Sequence, residues 1–125
     1  MKDTDRKLHN RMRAHVGDIP GPRAAVELLI AHGRWLRRTD FLDQVAFTGT
    51  DFDTDLTSTG IEWTLAVNAL EQGLACSPAD ESLLRIAASL ARGIPLDLRR
   101  AMAGLDDSST AHVMEALGRV AGRSV

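Results

Sequence analysis

The stretch that decides the fold is SPADESLLRIAASLARG, residues 77–93, which contains the clearest helical pattern in the chain. Ser77 is a preferred residue at a helix N-cap, Pro78 suits the first helical position, and Asp80 is favourable near the positive end of the helix dipole. Gly93 can adopt the left-handed conformation that ends a helix. Apolar residues recur with helical spacing at Leu83, Ile86, Ala87 and Leu90. We therefore predict an amphipathic helix over this stretch, with one face in a core.

Similar patterns on both sides of this stretch predict further helices. Residues 23–36 and 63–74 have apolar side chains at helical spacing. A short helix is expected over residues 97–103, and Asp107 or Ser108 starts the last one. Three helices are expected to end at a glycine followed by an apolar residue, namely at Gly73, Gly93 and Gly104. The predicted fold class is mainly α: a single compact helical domain of about five helices with one irregular segment.

Residues 1–22 differ in composition from the rest and are expected to form a basic, flexible N-terminal arm, although Leu8, Met12 and Val16 at four-residue spacing would also fit a short helix. This segment ends in GDIPGP, residues 17–22, where two prolines and two glycines break a helix. Five cations and two acids give residues 1–15 a charge of +3, whereas the whole chain carries −2. The remaining 16–125 therefore carry −5. We divide the chain into this arm and an acidic helical domain, residues 23–125.

Residues 41–62, FLDQVAFTGTDFDTDLTSTGIE, form the irregular segment, and either a short helix or a hairpin would fit them. Within it, DFDTDLTSTGIE, residues 51–62, has oxygen-bearing side chains at positions 1, 3, 5, 9 and 12 of an EF-hand-like loop. These residues are Asp51, Asp53, Asp55, Thr59 and Glu62. Leu56 stands where such a loop needs glycine, so a solvated acidic turn is the alternative. Calcium is the one cofactor that this spacing suggests.

All five aromatic residues of the chain lie in or beside the irregular segment: Trp35, Phe41, Phe47, Phe52 and Trp63. Aromatic side chains are enriched among the residues that dominate the binding energy at protein interfaces. They also supply much of the volume of a hydrophobic core. The group is therefore interpreted either as a contact surface for a partner or as core.

The C-terminal helices resemble the helix-turn-helix of winged-helix repressors, through LRRAMAGLDDSSTAHVMEAL, residues 98–117. The resemblance implies a C-terminal trihelical unit in which the last helix reads DNA. Its DNA-facing residues would be Ser108, Ser109, His112 and Arg119. Acids lie on the same presumed face, at Asp106, Asp107 and Glu115, and they would repel phosphates. The alternative is a helix that only closes a core.

Three stretches of the chain resemble a group of small uncharacterised actinobacterial proteins. They are LLIAHGRWLRR, IEWTLAVNAL and LLRIAASLARGIPLDLRRAMAGLD, within residues 26–122. The resemblance implies no known activity and transfers no functional residue.

The sequence favours neither catalysis nor a membrane location. The four histidines are scattered without metal-ligand spacing, and no phosphate loop or nucleophilic serine motif is present. No apolar run approaches the roughly 20 residues of a membrane span, and the first residues lack the apolar stretch of a secretory signal. We therefore expect a cytoplasmic protein that is not an enzyme.

The function that we expect is a small helical protein-interaction or regulatory module, which binds an unknown protein partner or associates with itself. The alternatives are a DNA-binding transcriptional regulator that uses the C-terminal helices, and a calcium-binding loop protein.

Overall fold

A computed structural model describes residues 3–51 and 56–122, and within them seven α-helices and one β-hairpin follow one another. The elements are α1 (Asp3–Val16), α2 (Pro20–His32), a 3₁₀ helix (Trp35–Arg37), α3 (Thr39–Val45), β1 (Ala46–Asp51), β2 (Leu56–Ile61), α4 (Trp63–Glu71), α5 (Pro78–Arg92), α6 (Leu98–Gly104) and α7 (Asp107–Val120). The mainly helical fold that the sequence predicts is confirmed. The irregular segment contains both of the alternatives, since it forms the short helix α3 and then the hairpin.

Helix α5 is the centre of the packing, because α2, α4, α6 and α7 all contact it. Its predicted start is confirmed: the backbone N–H of Asp80 donates to Ser77 Oγ at 3.1 Å, and Pro78 opens the helix. Its predicted end is confirmed too, since Gly93 has a φ of 67°. The buried side of the helix consists of Ala79, Ser82, Leu83, Leu84, Ile86, Ala87 and Ala88. No helix of the described residues is long and apolar enough to cross a membrane.

Gly104 has a different role from the one that the sequence predicted. Gly73, with a φ of 93°, and Gly93 take the left-handed conformation, but Gly104 does not. It lies at the end of α6, where a Cβ atom would collide with the Ser82 hydroxyl of α5. The prediction of a left-handed helix stop at Gly104 is therefore wrong. Glycine is needed there because α6 passes close to α5.

Residues 3–16 form the helix α1, in contrast to the flexible arm that we expected. Met12 is fully buried and His9 is 8% exposed, and α1 packs on α2 and β2. Leu8 and Val16 also pack against the core, so the apolar residues at four-residue spacing form one side of a packed helix. The expected boundary at residue 22 falls inside α2, which begins at Pro20. The prolines of GDIPGP therefore open a helix instead of separating an arm.

The hairpin is antiparallel and its register is unbroken. Ala46 lies opposite Ile61, Thr48 opposite Thr59, and the last described pair joins the backbones of Asp51 and Leu56. Thr59 and Ile61 are buried, whereas Thr48 is exposed. The sheet is therefore covered along β2, on which α1 packs.

Candidate functional site

A cavity of about 220 Å³ opens between α1, the hairpin and the starts of α2 and α4, and we call it the hairpin cleft. The end of α5 closes its far side through Ala91 and Arg92. Its apolar lining comes from Met12, Val16, Ile19, Pro22, Val26, Phe47, Ile61 and Trp63, and its polar lining from His15, Thr59, Glu62, Thr64 and Arg92.

Two of the lining side chains are apolar and face solvent. Ile19 is 63% exposed and Phe47 is 37% exposed. Other large apolar side chains are also exposed, including Leu98 and Met114 at 55% each, but these two do not line the hairpin cleft. A single exposed apolar side chain needs no special explanation, whereas apolar side chains grouped around a cavity indicate a contact site. Ile19 and Phe47 therefore make the mouth of the cleft partly apolar.

The ring of Phe47 is held in place by a glycine and a histidine. It lies over Gly60 of β2, where a Cβ atom would collide with the ring edge. The imidazole of His15 meets the ring edge-on, with centroids 5.1 Å apart and an interplanar angle of 85°. Such T-shaped pairs are a preferred geometry of aromatic rings. The absence of a side chain at Gly60 thus leaves space for the Phe47 ring, and the contact with His15 holds the ring at the cleft mouth.

The walls of the cleft are joined by an ion-pair cluster between α1 and α2. Arg13 donates to both carboxylate oxygens of Glu27, at 2.8 and 3.0 Å, and Arg23 donates to Glu27 at 2.9 Å. Arg23 also donates to the backbone oxygen of Gly17, at 3.0 Å, in the turn between the two helices. The hydrogen bonds from Arg13 lower the pKa of the half-buried Glu27 carboxyl. This cluster links α1 to α2, although Glu27 itself lines the groove between α2 and α7 and not the cleft.

Two charged side chains stand at the rim. Glu62 precedes α4 and Arg92 ends α5, and neither has an ion-pair partner within the residues that the structure describes. The Glu62 side chain does not cap α4. An apolar floor with a polar rim is the usual composition of a protein-binding surface. The geometry is therefore suited to an apolar side chain flanked by polar groups.

The residues expected to read DNA do not form one outward face. Ser108 and Arg119 are exposed, but Ser109 is 3% exposed and lies on the buried side of α7. His112 and Arg119 line a groove of about 180 Å³ between α7 and α2. Arg119 is also 3.6 Å from Glu115 on its own helix, so its charge is partly offset.

The N-terminal end of α7 is negative. Asp106 caps the helix by accepting the backbone N–H of Ser109 at 2.8 Å, and this hydrogen bond lowers the pKa of the Asp106 carboxyl. Asp107 follows in the first turn. The expected reading helix therefore presents acids where a DNA reader would approach phosphates.

The residues expected to bind calcium are separated by the hairpin. The backbone of Asp51 pairs with Leu56 at the tip end, while Thr59 is buried within β2 and Glu62 follows the other end of that strand. The six residue steps from Leu56 to Glu62 along the extended strand span about 20 Å. Asp53 and Asp55 lie outside the described residues. The structure therefore does not bring Asp51, Thr59 and Glu62 together around one ion, as an EF-hand-like loop would.

The aromatic group divides between core and surface. Trp35, Phe41 and Trp63 are buried, with Trp35 and Phe41 in contact at a centroid distance of 4.8 Å. Phe47 reaches the surface, and Phe52 lies outside the described residues. The core interpretation holds for three of the five residues, and the contact interpretation retains Phe47.

A second polar cluster joins the C-terminus of α2 to the N-terminus of α5. His32 Nε2 lies 3.0 Å from Asp80 Oδ1, Arg34 donates to the same oxygen at 3.3 Å, and Trp35 Nε1 donates to the Asp80 backbone oxygen at 2.9 Å. The His32 side chain is 5% exposed, and burial is the main cause that lowers its pKa. Its Nδ1 atom has no hydrogen-bond partner among the described residues. This cluster therefore links the end of α2 to the start of α5.

Comparisons with protein families, with curated proteins and with solved structures found no match.

Proposed function

We propose that this protein is a small helical protein-interaction module whose partner inserts an apolar side chain into the hairpin cleft. The observation that supports this most is the exposure of Ile19 and Phe47 around one cavity. Removing a large apolar side chain from water is worth about 1.5–3 kcal/mol. The cavity of about 220 Å³ is smaller than the roughly 300–1,000 Å³ of typical small-molecule sites. Its size favours an anchoring side chain over a whole cofactor.

The cleft is also preformed, which reduces the entropy cost of binding. Arg13, Glu27 and Arg23 join its helical walls, and Gly60 and His15 position the Phe47 ring. A site that is already in its bound shape loses less conformational freedom when a partner arrives.

Charge at the rim supplies a basis for selectivity. Glu62 and Arg92 carry opposite charges on the lining of the same cleft. Complementary charges at a rim mainly affect association rate and partner choice, whereas the buried anchor supplies most of the affinity. The partner segment is therefore expected to carry an apolar anchor with a basic residue on the Glu62 side and an acidic residue on the Arg92 side.

A peptide selection tests this proposal. Peptides selected from a random displayed library against the intact protein are expected to share a large apolar residue. Their affinity, measured by fluorescence anisotropy, is expected to fall at least about tenfold in Ile19→Ser, a loss of about 1.4 kcal/mol. Leu98→Ser is the matched control, because Leu98 is similarly exposed but does not line the cleft. Equal losses in both variants, or no loss in Ile19→Ser, would contradict the proposal.

We rank DNA binding through the C-terminal helices second. In its favour, α5, α6 and α7 succeed one another as in a helix-turn-helix, and Arg6, Lys7 and Arg11 expose positive charge on α1. Against it stand the acids of α7 and the buried position of Ser109. Arg119→Ala is the discriminating variant: a DNA reader would lose affinity for duplex DNA, whereas a cleft-binding module would keep its peptide affinity.

A further inference from the structure

The outer edge of β1 carries backbone groups that β2 does not use. The backbone N–H of Glu62 donates to the oxygen of Val45 at 2.7 Å, so the hydrogen-bonded pairs of the hairpin fall on Val45, Phe47 and Gly49. The backbone groups of the alternate residues Thr48 and Thr50 must therefore point away from β2. Among the described residues, no other backbone group bonds to them. Thr48 and Thr50 are exposed, which leaves this edge open to another strand.

Within the residues that the structure describes, this edge shows few of the features by which natural sheets avoid pairing with other chains. Such edges are usually protected by lysine, proline, a bulge or a covering element. β1 has the sequence AFTGTD, with neither lysine nor proline, and its register with β2 contains no bulge. β1 packs on β2 and on the end of the adjoining α3. A two-stranded hairpin is also marginal by itself, so additional strands stabilise it.

We propose that a second copy of this chain adds its β1 to this edge, antiparallel, with the two-fold axis at Thr48. In this register Thr48 of each copy exchanges both of its backbone hydrogen bonds with Thr48 of the other. The N–H of each Thr50 donates to the oxygen of Ala46 in the other copy. Ala46 uses its own N–H within its chain, to the oxygen of Leu42, so its oxygen alone takes part. The result is a four-stranded sheet across two protomers.

The side chains of β1 are complementary to themselves in this register. Phe47 of one copy falls opposite Gly49 of the other, which has no side chain to collide with a Phe47 ring that lies over Gly60. The two Thr48 side chains lie side by side, and such threonine pairs are favourable across strands. Residues 46–50 carry no charge, so no like charges meet across the seam. The edge of β1 is therefore complementary to β1 of a second copy of this chain.

The interface formed by pairing one strand from each copy buries a small area. Stable interfaces bury at least about 1,200 Å² in total, and an edge pairing buries less, so the dimer is expected to be weak and to form at high protein concentration.

Cysteine cross-linking tests the register. Cys76 is the one cysteine of the chain, and Cys76→Ser removes it. In that background, Thr48→Cys is expected to form an intermolecular disulfide under mild oxidation, because paired Cα atoms in this position lie about 5.5 Å apart. Thr50→Cys is the matched control. Its two copies would be four residues out of register, about 13 Å apart along the strands, and would not cross-link. Equal cross-linking at both positions, or at neither, would overturn the proposed register.

Sedimentation velocity from micromolar to millimolar concentration tests the association itself. The wild-type chain is expected to shift from monomer to dimer, and Thr48→Pro is expected to remain monomeric because proline removes an outward N–H. Thr57→Pro removes the equivalent outward N–H from β2 and should still dimerise. Far-UV circular dichroism establishes that each variant is folded, and Thr48→Lys against Thr57→Lys repeats the comparison if a proline variant unfolds. A wild-type monomer at every concentration, or a dimer indifferent to both Thr48 substitutions, would refute the pairing.

This inference does not depend on the hairpin cleft. Peptide binding that survives in Thr48→Lys, together with loss of the dimer, would leave both proposals standing. Loss of peptide binding in Ile19→Ser with an intact dimer would support the cleft proposal and would leave the strand pairing unaffected.

Discussion

At the residue scale, the contact between Phe47 and Gly60 determines the shape of the cleft. A Cβ atom at Gly60 would meet the ring of Phe47 and would also lie 2.8 Å from His15 Nε2. Gly60→Ala is therefore expected to displace the ring and to destabilise the protein by about 1–3 kcal/mol, as overpacking usually does. Urea unfolding, followed by circular dichroism, measures the change.

A double-mutant cycle separates this contact from a general backbone effect. In a Phe47→Ala background the collision with the ring is removed and only the exposed His15 side chain has to move, so Gly60→Ala should cost much less there. If the two substitutions have additive effects on the free energy of unfolding, the Phe47 ring does not lie against Gly60.

The sequence predicted residues whose role is local and missed those whose role depends on another element. Ser77, Pro78 and Gly93 act within their own helix, so their positions followed from residue type alone. Gly104 was assigned the same local role, although its cause is the approach of α5 at Ser82. Ile19 stands among prolines and glycines in GDIPGP, and nothing in that pattern indicates that Phe47 lies across the cavity from it.

At the element scale, α1 is an integral part of the fold. Met12 is fully buried, so Met12→Ala should lower the free energy of unfolding by about 2–5 kcal/mol. Arg11→Ala, one residue away on the exposed side of the same helix, should change it by less than about 0.5 kcal/mol. The two variants are compared by urea unfolding. A flexible arm would give equal, small effects in both.

The other helices could be predicted from the periodicity of their apolar residues, but the packing of α1 against the core could not. Its charge and the prolines after it suggested an arm, because composition cannot show that Arg13 pairs with Glu27 fourteen residues later. The hairpin raises the same difficulty. The oxygen-bearing residues of 51–62 have the sequence spacing of an EF-hand-like loop. In the structure, however, residues 56–61 form an extended strand, so these side chains are spread along it and do not surround one ion.

At the scale of the whole molecule, buried histidines make stability depend on pH. Burial is the main cause that lowers the pKa of both His9 and His32 below the ordinary 6.5. Between the folded pKa values and 6.5, the unfolded chain binds more protons than the folded chain. This contribution to stability is therefore fully present above about pH 6.5 and is lost as the pH falls below it.

Glu27 adds a second, more acidic window. Its pKa is lowered from 4.5, chiefly by the hydrogen bonds from Arg13, so its contribution is lost as the pH falls below about 4.5. Urea midpoints measured across both windows should decline in two stages. His32→Gln should flatten the first stage, and an unchanged slope in that variant would show that His32 does not carry it.

Amide NMR of the labelled protein with a selected peptide tests most directly whether a partner binds in the hairpin cleft. We expect the shifts to concentrate on residues around the cleft: Val16, Ile19, Phe47, Gly60, Ile61 and Trp63. Shifts concentrated instead along the groove between α2 and α7, with the cleft residues unchanged, would contradict binding in the cleft.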